Sequence, residues 1–216
     1  MRKSVLGFVF YFIYLAQVWG GVPIAEYRFD ECSWGGARVV KDSAGAKNGV
    51  AGGAANTTGG GNVCRAGYFN GSGYVTVSDD DIFSPHVGAN GEMSISAWIK
   101  IESYPSIDKQ GRTPIVAKGS GLGDYEYALY LYSDGSVDFT VWQPDGNSYV
   151  GPRGGFIDTN VWHNVVATLK KGEYARVYID GVLAAETSLV GAADTTANGS
   201  SPLYIAKRGN TGNYYF

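Results

Sequence analysis

The chain is thin in the residues on which most enzymatic chemistry turns. Its 216 residues hold two histidines and two cysteines. His163 alternates with Val161 and Val165 on an apolar face, where a hydrogen-bonded structural histidine is expected. His86 follows Pro85 with no serine-bearing nucleophile elbow beside it. Two histidines without clustered cysteines do not make a zinc site. An excess of positive charge is missing too. Basic residues number 17 against 20 acidic ones, with no basic patch or arginine-rich stripe, so nucleic acid and anionic membrane surfaces are not expected partners. Helical periodicity is absent.

What is present in abundance is glycine, 32 residues of it, spread between short alternating segments. The clearest is Ala175 to Thr187, where two alternating runs flank Asp180-Gly181, a strong signal for a tight β-hairpin. Val177 and Ile179 fall on one face, with Arg176, Tyr178 and Asp180 on the other. The same grammar predicts strands at Ile24–Phe29, Met93–Ile101, Pro114–Lys118, Tyr125–Tyr132, Val137–Trp142, Trp162–Leu169 and Leu203–Lys207. It also predicts a hairpin over Gly67–Val77 that turns at Asn70–Gly73, and further turns at Asp134-Gly135 and Asp145-Gly146. Residues 35–63 read as a glycine-rich excursion. Strands recurring about every ten residues define an all-β protein, a two-sheet antiparallel sandwich.

The N-terminus reads as an export signal over residues 1–20. Arg2 and Lys3 precede an apolar run, Val5 to Val18, and Val18-Trp19-Gly20 offers a cleavage site. That run is shorter than the ~20 residues of a spanning helix, so no membrane span is expected after cleavage. The mature chain is then periplasmic, surface-bound or secreted. Export makes Cys32 and Cys64 a disulfide in expectation. The bridge would stabilise the fold by about 3.7 kcal/mol in the chain-entropy account.

Several of these segments together resemble the LamG-like jelly-roll domains of the concanavalin A-like superfamily. The carriers are Tyr27-Arg-Phe-Asp30, Asp42 to Gly49, Phe69-Asn-Gly-Ser-Gly-Tyr-Val75, Ser94 to Lys100, Ile115 to Gly119, Trp162 to Thr168 and Val177-Tyr-Ile-Asp-Gly181. Glu26 to Trp34, with its later Cys64, is similar to the version in exported Gram-negative proteins, some of them associated with MSHA-type pili. The resemblance implies one jelly-roll domain over residues 21–216, lacking its C-terminal strand because the chain stops at Phe216, with further domains of the polypeptide expected beyond. It implies a recognition or adhesion module for a glycan or a surface protein, or an assembly domain of a surface appendage, rather than an enzyme. Some relatives bind calcium near strand termini.

Candidate site residues follow from these expectations. Calcium would take oxygens from Asp42, Asn48 and nearby carbonyls, with Asp30 close in sequence; the alternative is that Asp42 and Asn48 bond their own turn. Tyr104 and Tyr149, in or near loops, are the candidate ligand-binding aromatics. The strand aromatics are expected mostly in the core or lining one sheet face. Glycoside hydrolysis needs two carboxyls flanking the bond. The Glu-x-Asp-x-x-Glu strand motif of the hydrolase relatives is absent, and Asp124 and Glu126 are expected on an exposed, ion-pairing face.

Overall fold

A computed structural model describes residues 23–62, 65–85, 91–104, 111–120, 124–143, 149–190 and 199–209. The predicted signal, Cys64, His86 and the last residues, Asn213–Phe216, lie outside them.

Five short strands open the chain: β1 (Val39–Val40), β2 (Gly49–Gly52), β3 (Asn56–Gly59), β4 (Arg65–Tyr68) and β5 (Tyr74–Val77). After a 3-10 turn at Asp81–Phe83 come β6 (Glu92–Lys100), β7 (Arg112–Lys118), β8 (Tyr127–Tyr132) and β9 (Val137–Trp142). The two-residue strands β10 (Tyr149–Val150) and β11 (Arg153–Gly154) follow. β12 (Trp162–Lys170), β13 (Tyr174–Ile179), β14 (Val182–Ser188) and β15 (Leu203–Ile205) complete the set.

A large antiparallel sheet runs β1-β2-β5-β15-β7-β8-β9-β10, with β11 also paired to β9. A smaller one runs β14-β13-β12-β6. Their inner faces meet in one core. Val75, Val116, Leu129, Phe139, Val141 and Ile205 from the large sheet pack with Ile95, Ile99, Val165, Leu169 and Val177 from the small one. This is the two-sheet antiparallel sandwich that the alternation predicted, and the jelly roll that the resemblance implied. The small sheet shows why: β6 and β12 alternate buried and half-buried along their whole length, as strands with one solvated face do.

Three local expectations need correcting. Ile24–Phe29 is not a regular strand; it makes one isolated bridge, Tyr27 to Asp42, and Phe29 turns away at φ 54°. The segment 65–77 does not fold back on itself. β4 pairs with β3 in a separate ribbon, while β5 pairs with β2 and β15. Glycine permits that crossing, since a Cβ on Gly53 would lie 1.9 Å from the Ser72 carbonyl oxygen. The excursion at 35–63 carries β1, β2 and β3. An edge-to-face cluster ties the ribbon to the core, with Phe29 ring centroids 5.5 Å from Trp34 and 6.1 Å from Phe69.

Strands β7, β8 and β9 differ from the rest. Almost every residue in them is buried, on both faces. Register puts Arg112, Pro114 and Ala117 of β7 beside Tyr132, Tyr130 and Ala128 of β8 on the outer face. Asp138, Thr140 and Trp142 of β9 continue that face.

Candidate functional site: the outer face of the large sheet

The outer face carries a second apolar cluster: Ala117, Tyr125, Ala128, Tyr130 and Trp142, with Tyr132 at its border. Small alanines on the middle strands leave room for large rings around them. Trp142 lies between two tyrosines, its ring centroid 4.9 Å from Tyr125 and 6.0 Å from Tyr149. Tyr149, the sequence candidate, is 64% exposed and is the open end of this row. Tyr104 is placed differently: its hydroxyl donates to the Ile157 carbonyl at 2.9 Å and its ring packs on Phe156. It braces the edge of the core.

Guanidinium groups lie over these rings. Arg112 Cζ is 4.3 Å from the Tyr130 centroid, Arg153 Cζ is 3.5 Å from that of Tyr132, and Arg208 Cζ is 5.0 Å from that of Tyr125. Lys207 Nζ sits 4.3 Å from the Tyr74 centroid. Each such contact is worth about 0.5 kcal/mol in the open and up to about 2 when desolvated. Arg208 Nη1 also donates to the Tyr130 hydroxyl at 3.1 Å. Burial pushes the Tyr130 phenol up to about 12, with the two arginines pulling the other way, so it stays a neutral hydroxyl. A bulge at Ile115 and a left-handed Ala206 (φ 61°), whose amide donates to the Ile115 carbonyl at 2.9 Å, turn the chain after β15. Lys207 and Arg208 thereby reach the aromatic face.

One carboxylate stands on this face among the described residues. Asp138 is buried, paired in register with Tyr130 and Arg153, and accepts from the Thr140 hydroxyl at 2.6 Å. Desolvation raises its pKa, outweighing the Thr140 hydrogen bond and the charges of Arg112 and Arg153. Sequence reasoning missed Arg112, Asp138, Arg153 and Arg208. The available signal was the outward register of β8 and β9, which holds Tyr130, Tyr132 and Trp142 where a solvated strand would hold charges.

Asp124 and Glu126 are not on an exposed face. They anchor a polar knot where β7 ends and β8 begins. Lys118, wholly buried, directs its ammonium at Asp79 Oδ1 (2.5 Å), Glu126 Oε1 (2.9 Å) and the Ser201 carbonyl (3.1 Å). Glu126 Oε1 also accepts from the Ser84 hydroxyl and the Gly199 amide. Asp124 accepts from the amides of Ser120 and Ser200 and the hydroxyls of Ser120 and Ser201; burial acts to raise its pKa, but these four bonds together, that of Ser201 foremost, outweigh it and lower the pKa. Burial pushes the Glu126 carboxyl up, with Lys118 only partly offsetting it. Burial also acts to lower Lys118, but the Asp79 hydrogen bond and the Glu126 charge overcome it and hold the ammonium above its ordinary value. Each ammonium proton meets an oxygen, so the Lys118–Glu126 pair is ionised.

The Asp42 turn is closed by amides. Asp42 Oδ1 accepts from Glu26, Ala44 and Gly45, and Oδ2 from Lys47, at 2.9–3.0 Å. The Asp42 amide donates to Asn48 Oδ1 at 3.0 Å. Asp42 and Asn48 are thus brought together, while Asp30 is exposed and makes no hydrogen bond or ion pair with the described residues. Calcium needs oxygens around it, whereas the partners crowding this carboxylate are N–H donors. The donor set as arranged does not fit the ion. His163 is buried, with Nδ1 2.7 Å from Asp180 Oδ2 and Nε2 accepting the Asp158 amide at 3.2 Å.

The sandwich and its register define the class of protein, and the comparisons agree. The chain belongs to the concanavalin A-like lectin/glucanases superfamily, whose Laminin_G_3 family model matches residues 69–216. No curated protein matches it in sequence. Among solved structures it is similar to the binding domain of Paraclostridial Mosquitocidal Protein 1, with TM-score 0.65 and 15% identity over 96% of this chain and 46% of that one. It is similar to the binding domain of botulinum neurotoxin DC in complex with SialylT, with TM-score 0.56 and 16% identity over 82% and 44%. The same domain in complex with rat synaptotagmin II gives 0.54 and 17% over 77% and 40%. The chain therefore spans less than half the length of these domains, and at such identities the likeness is one of fold.

Two outcomes follow from the buried charges. Lys118→Met strands two carboxylates and is expected to lower the unfolding free energy by about 3–5 kcal/mol, with Lys118→Met/Glu126→Gln regaining a measurable part, both read by urea denaturation. Asp138 has its folded pKa above the unfolded value, so it favours folding while protonated. That contribution fades as pH rises from the ordinary carboxylate range through the folded pKa. Asp138→Asn is therefore expected to be more stable than the natural chain at pH 7 and to lose the advantage in acid, as thermal melts at both pH values would show.

Proposed function

We propose that this chain is a non-catalytic recognition module, exported from the cell, which binds a glycan through the outer face of its large sheet. The observation that carries the reading is the burial of β7–β9 on both faces. A two-layer sandwich needs apolar side chains on the inner face alone, yet the outer face holds a ring of tyrosines, a tryptophan and three arginines. Flat rings with polar handles suit the faces and hydroxyls of sugars. The solved domains of like fold carry names of binding domains, one of them in complex with SialylT, which supports a binding role by analogy of fold.

The non-catalytic part rests on carboxyl placement. Glycosidic hydrolysis by two acids needs a pair across the bond, and on this face Asp138 is the single carboxylate among the described residues. Asp124 is taken up by serine and backbone partners in the knot, and Glu126, wholly buried, gives Oε1 to Lys118, Ser84 and Gly199 while its Oε2 is sealed from solvent without a partner among the described residues. A second reading, an assembly domain packing against protein in a surface appendage, draws support from β14, where Val182 and Leu183 are exposed and which is an edge strand among the described residues.

A glycan array with the exported, folded chain is expected to give sugar binding that falls at least tenfold in Tyr149→Ala, with the melting temperature little changed. Binding that persists undiminished in Tyr149→Ala, or no glycan binding beside stable pairing with a protein partner through β14, would replace the first reading with the second. Export further leads us to propose the Cys32–Cys64 bridge. Cys32 is an exposed, free thiol in this structure; its carbonyl accepts the Thr57 hydroxyl beside the β3–β4 ribbon, whose second strand begins at Arg65, the residue after Cys64 in sequence. Thiol titration of the unreduced, denatured chain is expected to find no free thiol; two reactive thiols would refute the bridge.

A further inference from the structure

Resting on that reading, we infer that the ligand is an anionic oligosaccharide lying along β9, with a sugar ring on Tyr149 and a carboxylate or sulfate group on Arg153. The geometry points there in three ways. First, Tyr149 pairs with Trp142 and Arg153 with Asp138, so both project from the outer face of the sheet, four β9 residues apart. Strand rise makes that about 13 Å, longer than one sugar ring, so the span selects an oligosaccharide over a monosaccharide. Gly151 and Pro152 fix the spacing: the Pro152 carbonyl accepts the Phe139 amide at 3.0 Å, and a Cβ on Gly151 would lie 1.8 Å from the Phe139 carbonyl oxygen.

Second, Arg153 is built to present itself. Its guanidinium lies on the Tyr132 ring, Nε donates to the Ser136 hydroxyl at 2.8 Å and Nη2 to Asp134 at 2.7 Å. Nη1 makes no hydrogen bond with the described residues, and the side chain is 44% exposed. A planar cation held from one side and below offers its remaining edge to an oxyanion, the recognition for which arginine is better shaped than lysine.

Third, the sign of the face runs against the sign of the chain. The whole protein carries a net charge of −3, whereas Arg112, Arg153, Lys207 and Arg208 lie on this face, Arg112 and Arg153 near enough to act on the charge of Asp138, and among the described residues the other acidic neighbour is Asp134, paired with Arg153 at the rim. Desolvation of Asp138 weakens the one buried negative charge further. A neutral sugar would gain nothing from this arrangement, while an acidic one is steered to it.

Calorimetric titration of the full chain with three defined probes tests this: an oligogalacturonide for carboxylate, a heparin-derived octasaccharide for sulfate, and a neutral malto-oligosaccharide. One or both acidic probes are expected to bind at least tenfold more tightly than the neutral one, with affinity falling as salt rises. Arg153→Gln is expected to remove most of that preference, and Arg153→Lys to restore only part of it. Circular dichroism and melting temperature serve as the folding control. Neutral and acidic probes binding alike would overturn the inference and leave the sugar-binding reading standing. Binding of none of the three, together with a blank glycan array, would overturn both. Acidic probes that bind equally well to Arg153→Gln would move the anion off Arg153 and refute the site.

Discussion

A sheet in a two-layer sandwich has one face without a partner layer, and the whole arrangement depends on how β7, β8 and β9 close theirs. An outer face of leucine and valine would be an adhesive apolar patch. A face of short polar residues would leave the ladder half-solvated, as along Ser94 and Ser96 of β6 and Asn164 and Thr168 of β12. Here the alanines at positions 117 and 128 sit low between rings, and the rings are roofed by guanidinium groups from three distant parts of the chain. Aromatic carbon supplies the burial and arginine supplies the polarity, so the face is covered and remains chemically specific.

That cover relies on the framework at both ends of the strands. Arg208 reaches Tyr125 and Tyr130 because Ala206 takes a left-handed conformation opposite the Ile115 bulge. Arg153 reaches Tyr132 because β11 is pinned to β9 after Gly151. At the far end the buried Lys118 ammonium gathers Asp79, Glu126 and the Ser201 carbonyl into one point. It fixes where β8 begins and where the chain enters β15, and with them the register that brings the tyrosines together. Buried ion pairs contribute little net stability against a well-packed apolar alternative, and their attested use is to hold a unique register.

The sequence disclosed the architecture wherever one face of a strand is buried and the other solvated. β6 and β12, and the β13–β14 hairpin with its Asp180-Gly181 turn, all lie where alternation places them. Legibility failed where that contrast disappears. β1 to β3 are short and rich in glycine, threonine and asparagine, with no hydrophobic period to read. The sequence marks β5 as a strand but pairs it with its near neighbour, because its actual partners β2 and β15 lie far off in sequence and only long-range packing chooses them. The site was half legible. Tyr149 stands out as a loop-edge aromatic, and the strand tyrosines were visible as residues. Which of them faced outward needed the register, and the arginines that join them arrive from β7, β11 and the turn after β15, a convergence that no local pattern records. Tyr104 looked equivalent to Tyr149 in sequence and differs only because its hydroxyl finds the Ile157 carbonyl.

Hydrogen–deuterium exchange of the folded chain with and without a bound oligosaccharide tests the central claim most directly. The account predicts slowed exchange in 125–132, 137–142 and 149–154, with β6, β12, β13 and β14 unchanged. Protection confined to the small sheet or its edge strand β14, with the outer face of β8 and β9 unaltered by a ligand that demonstrably binds, would contradict it.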